Sequence, residues 1–87
     1  MAEKAAPPVF VEIFGQSYAV RAGKDPGYVH ELAAYVDEQM REVSRASGVV
    51  DSVRIAVLAA LNIADEFHRA RARAEELARQ LGSVVDE

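Results

Sequence analysis

The sequence predicts an α+β chain: a small head of one β-hairpin and one helix, followed by a long C-terminal helix that forms an intermolecular coiled coil. Three observations carry this. Residues 9–22 are β-branched and aromatic around a glycine turn, residues 25–47 show an apolar stripe at helical spacing, and residues 54–67 read RIAVLAALNIADEF. Ten of those last fourteen residues are apolar, and none is Gly or Pro. A helix that is apolar on most of its surface has to be covered.

The chain has 87 residues, enough for one domain or a small head with an extension. A compact domain of this size buries only about 60% of the surface its unfolded chain exposes. It needs disulfides, metals or association to make up the deficit. There is no Cys, and His30 and His68 alone make a poor metal set, so association is the expected route. The net charge of −4 argues against a general affinity for nucleic acid. MAEKAAPP has no apolar core of a signal peptide, and Asp65 and Glu66 end the apolar run short of a bilayer span. A soluble cytoplasmic protein is expected.

Residues 1–8 are expected to be a flexible tail, because Pro7 and Pro8 donate no backbone hydrogen bond and nothing apolar precedes them. Residues 9–50 are expected to form the head. Within it VFVEIF and SYAVRA flank Gly15-Gln16, and a glycine in first place suits a two-residue type II′ turn. That turn pairs Phe14 with Ser17, Ile13 with Tyr18, Val11 with Val20 and Val9 with Ala22. Val9, Val11, Ile13, Tyr18, Val20 and Ala22 then share one face.

The helix over 25–47 starts at Asp25, a capping residue, with Pro26 in the first turn. Val29, Leu32, Ala33, Val36, Met40 and Val43 form its stripe, flanked by Tyr28 and Tyr35. Gly48 is a natural stop. Residues 51–87 are expected to be the oligomerisation unit, a helix over 52–81 capped by Asp51 with a frayed C-terminus. Its first half, including Ile55 and Leu58, is apolar nearly all round, to be buried by its own head and by a partner. From Ala60 a heptad runs without a break: Ala60, Phe67, Ala74 and Leu81 at a, and Ile63, Ala70, Leu77 and Val84 at d. The plainer alternative is a helix that folds back on its own head, but the chain has little left to fold back on.

No catalytic constellation emerges. Asp65-Glu66 and Glu75-Glu76 are adjacent pairs that diverge around a helix, there is no Cys nucleophile, and no phosphate-binding glycine loop occurs. Arg69, Arg71 and Arg73 lie on different sides of the helix and read as a solvated face rather than a phosphate grip. Arg21, Lys24, Arg41, Arg45 and Arg54 give the head a basic component. Singly they are ordinary solubilising charge. Together they suit an acidic partner.

Three stretches, VEIFGQSYAV (11–20), DPGYVHELAAYVDEQMREV (25–43) and DSVRIAVLAALNIADEF (51–67), resemble the bacterial cell-division family ZapA. The resemblance spans roughly residues 9–81. It implies a non-enzymatic protein without cofactors that dimerises through heads and helices, with a dimer of dimers as a further step. It also implies binding to filaments of the tubulin-like FtsZ, and bridging of those filaments at the division septum. Many members carry basic residues in and just after the hairpin turn, where this chain has Gln16 and Ala19. The filament contact is therefore expected at Arg21, Lys24, Arg41, Arg45 or Arg54. The oligomer interface is expected at Ile55, Leu58, Ala60, Ile63, Phe67, Ala70, Ala74, Leu77 and Leu81. The competing expectation is a homo-oligomeric coiled-coil adaptor for some other protein.

Overall fold

The computed structural model describes residues 7–21, 23 and 25–85. Strands β1 (Val9–Ile13) and β2 (Gln16–Val20) form an antiparallel hairpin, followed by helices α1 (Pro26–Ser47) and α2 (Ser52–Val85). This is the α+β arrangement of hairpin, helix and long helix.

The hairpin corrects the predicted register. The turn residues are Phe14 and Gly15, not Gly15 and Gln16. The pairs are Val9–Val20, Phe10–Ala19, Val11–Tyr18, Glu12–Ser17 and Ile13–Gln16. Phe14 and Gly15 both have positive φ, 51° and 82°, as a type I′ turn requires. That turn matches the twist of the strands, but it puts a bulky residue in the left-handed region at a cost of about 1–2 kcal/mol. The Phe14 N–H offsets part of this by donating to Asp37 Oδ1 of α1 at 2.7 Å. The shift moves each partner by two residues, so Val9, Val11, Ile13, Tyr18 and Val20 keep the predicted common face. The predicted pairing of Val9 with Ala22 is replaced by Val9–Val20, and Ala22 itself lies outside the described residues.

Helix α1 begins and ends as its sequence directs. The Asp25 carboxylate accepts the Tyr28 N–H at 3.1 Å, and Pro26 takes the first turn. Gly48 adopts φ 73° and its N–H donates to the Ser44 carbonyl at 3.1 Å. Ala33, Met40 and Val43 are buried, whereas Leu32 remains about half exposed. Helix α2 is capped by Asp51, whose side chain accepts the Val53 N–H at 3.1 Å.

Between α1 and α2 the chain direction bends by 110°. The bend lays the start of α2 across the C-terminal half of α1. There Ile55 and Ala59, one turn apart and each 1% exposed, pack with Met40 and Val43. Ile13, Phe14, Val36 and Val49 close the edges of this cluster. It is a small core, and α2 leaves it quickly: from Ala64 to Ser83 every residue is exposed. The radius of gyration is 18.2 Å, against about 12 Å for a compact domain of this length. Among the described residues, no single helix is long and apolar enough to cross a membrane.

Candidate interaction surfaces

The exposed length of α2 is a built surface. Asp65 pairs with Arg69 at 2.9 Å and Arg71 with Glu75 at 3.4 Å, and Glu76 pairs with Arg79, so the polar sides hold themselves in place. The heptad side is left open. Phe67, Leu77 and Leu81 are 56%, 56% and 58% exposed. Ala60, Ala70 and Ala74 beside them are exposed too, and only Ile63 is half-buried. The Arg71 guanidinium stands 6.0 Å from the Phe67 ring centre and borders the seam. The side chain of Val84 is outside the description.

Two of the predicted interface residues sit differently. Ile55 is sealed inside its own chain against Met40 and Val43, so it has no surface to offer a partner. The reason is the bend, which directs that turn of α2 into α1. Leu58 is at the margin, 37% exposed, lining a cleft with Glu42, Val43, Ala46, Ser47 and Asn62.

A second apolar stripe escaped the heptad pattern. Val53, Val57 and Leu61 recur every four residues and are 69%, 55% and 62% exposed, with Val50 above them at 92%. Its signal in the sequence is the i,i+4 spacing itself, which falls outside the a and d positions that run from Ala60. A further open apolar feature lies between the hairpin and the first turns of α1. It is a groove of about 280 Å³ lined by Val11, Ile13, Val20, Val29, Leu32, Ala33 and Val36, with Arg21 at its rim. Summed over the chain, the accessible surface is 6800 Å², against about 5,000 Å² for a folded monomer of this size. The surplus on this one chain is about twice the roughly 800 Å² that each partner contributes to a standard interface.

The head cations divide into two groups. Arg41 Nε–H donates to Asp37 Oδ2 at 2.8 Å, and Arg45 lies 3.2 Å from Glu38 and 3.7 Å from Glu42. Their charge is shared with carboxylates of the same helix. Arg21 and Arg54 are exposed, and among the described residues neither makes an ion pair. Lys24 lies outside the described residues. The acidity of Asp37 follows from its contacts. The hydrogen bond from Arg41, and then that from the Phe14 N–H, hold it below the usual carboxylate range. Arg41 is correspondingly raised. Among the described residues no three His, Cys, Asp or Glu side chains gather as a metal site would need.

The sequence and fold recur in known proteins. The sequence pattern that defines the cell division protein ZapA family matches residues 9–87. A cell division protein ZapA from Shouchella clausii is 44% identical over 57 residues, 66% of this chain and 73% of that one. One from Geobacillus thermodenitrificans is 35% identical over 81 residues, 93% of this chain and 89% of its own. A solved structure described as a ZapA mutant dimer from Geobacillus stearothermophilus superposes with a TM-score of 0.69 at 33% identity, covering 93% of this chain and 94% of that one. With the hairpin, the bent helix pair and the exposed seam all within the matched span, the chain belongs to the ZapA family of cell division proteins.

Proposed function

We propose that this protein is a non-enzymatic cross-linker of FtsZ filaments that promotes assembly and stability of the division ring in the cytoplasm, at the septum. The heads touch the filament, and α2 joins the heads into a homodimer or a dimer of dimers. The observation that carries this reading is the open seam on α2. Phe67, Leu77 and Leu81 are more than half exposed at heptad spacing, in a chain of a cell division family. A bridge needs at least two filament-binding faces, and self-association supplies them. Two linked weak contacts then hold a polymer more tightly than either does alone. Of the five head cations expected at the filament, Arg21 and Arg54 are the best placed, since Arg41 and Arg45 already share their charge with carboxylates. Lys24 completes the expected set.

Co-sedimentation with FtsZ polymerised in GTP, against a GDP control at physiological salt, tests the proposal. The protein is expected in the pellet only with polymer, and Arg21→Glu with Arg54→Glu is expected to weaken pelleting without changing the oligomer mass. A protein that stays in the supernatant beside well-formed filaments overturns the proposal, and an adaptor for another partner takes its place.

A further inference from the structure

Among the described residues, one side-chain hydrogen bond joins the hairpin to α1: the Phe14 N–H to Asp37 Oδ1, at 2.7 Å. It falls at the strained point of the hairpin. Phe14 has φ 51°, and the paired residues Ile13 and Gln16 flank the turn, so its N–H has no place in the strand ladder. The Phe14 ring is half-buried against the Met40, Val43, Ile55 and Ala59 cluster. Asp37 is in turn held by Arg41, which takes the other carboxylate oxygen at 2.8 Å from one turn further along α1. Glu12 of the hairpin and Glu38 of α1 add longer-range attraction for the Arg41 charge, whose ion pair is with Asp37. Further along, Val11 of β1 and Ala33 of α1 are buried together, while the groove beside them, lined by Val20, Val29, Leu32 and Val36, is open. The hairpin is thus hydrogen-bonded to α1 at its tip and held beyond it by apolar contact alone.

We infer that Asp37 is a positioning residue: it latches the hairpin tip to α1 and sets the angle at which the hairpin, with Phe10 exposed and Arg21 at the groove rim, meets a partner. The latch stands on the geometry of this chain alone, while its effect on a partner rests on the filament-bridging reading. Restrained strain at one residue is a common way to hold a binding surface in one arrangement. Releasing the carboxylate leaves Phe14 free to relax, with only the apolar packing around Val11 and Ala33 to set the hairpin's tilt.

The test uses the full chain with Asp37→Asn, which keeps size and one acceptor oxygen but removes the charge that Arg41 fixes. Three quantities are measured: exchange and acid titration of the Phe14 amide by NMR, oligomer mass by light scattering, and pelleting with GTP-assembled FtsZ. The variant is expected to exchange the Phe14 amide about tenfold faster or more. It is also expected to lose the acid titration of that amide, to keep its mass, and to pellet several-fold less. Asp37→Glu, which retains the charge but moves it outward by one methylene, is expected to keep a titrating Phe14 amide and to recover part of the binding. Unchanged Phe14 protection in Asp37→Ala, which leaves the amide no acceptor, overturns the latch. Lost protection with undiminished pelleting overturns its positioning role and leaves the bridging reading intact. A wild-type chain that does not pellet removes the bridging reading, and with it the positioning role, while the amide data still decide the latch.

Discussion

A carboxylate that accepts both the Phe14 N–H and the Arg41 Nε–H does so best when ionised. Asp37 is therefore easier to deprotonate in the fold than in the unfolded chain. Its contribution is complete above the ordinary carboxylate value, about 4, and is lost as pH falls through the lower folded value. Denaturation midpoints followed from pH 7 to pH 3 are expected to fall more steeply below about pH 4 in wild type than in Asp37→Asn. Ile55 poses a different demand. It is 1% exposed in a core of few residues, so Ile55→Ala is expected to lose about 2–5 kcal/mol in chemical denaturation. At Gly48 a Cβ meets nothing within 4 Å, so Gly48→Ala is strained only by the left-handed backbone and is expected to lose about 1 kcal/mol. The caps at Asp25, Gly48 and Asp51 were legible because each signal lies within a turn of the bond it makes. The tie from Asp37 was not, because its partner is 23 residues away and no local pattern marks it.

Elements were legible where one periodicity governs them. The stripe from Val29 to Val43 and the heptad from Ala60 both fall on helices, as their spacing requires. The hairpin was legible in its faces but not in its register. Local chemistry favours glycine in the first turn place, whereas the fold puts Phe14 there at φ 51°, with its N–H on Asp37 of α1, a contact no local pattern marks. Ile55, expected in a half of the helix shared between head and partner, lies on the side the head covers, because a run apolar on all sides says that it is covered but not which side its own head takes. This matters for testing the seam. Ile63 is half-buried within its own chain, so a charge there disturbs head and partner together. Leu77→Glu is the cleaner probe, since Leu77 is 56% exposed and far from the core. It is expected to lower the oligomer mass in light scattering while leaving the head fold unchanged, because a charge in the seam would be buried unpaired. Retention of the wild-type mass would show that the seam does not hold the oligomer.

For the molecule as a whole, the sequence gives a strong hint of the shape in one ratio, a long helix against a small head. The principal extents, 54 × 49 × 15 Å, describe an angle bracket rather than a globule. The bend itself was not legible, since Gly48 and Asp51 mark where one helix stops and the next begins without fixing the angle between them. A chain of this shape is expected to melt at a temperature that rises with protein concentration, because association and folding are then one equilibrium. A midpoint constant over a hundredfold dilution would place the stability in the single chain instead.

The thinness of that bracket has a consequence for abundance. At 15 Å, the body is little more than one helix thick, and most of its apolar side chains have only another molecule to turn to. Under the self-association proposed, the paired form grows with at least the square of the free chain. Halving the supply then removes more than half of the working protein, and the chains left single are the ones most open to proteolysis. Copy number then acts more than proportionally on the working form, through the geometry of the fold.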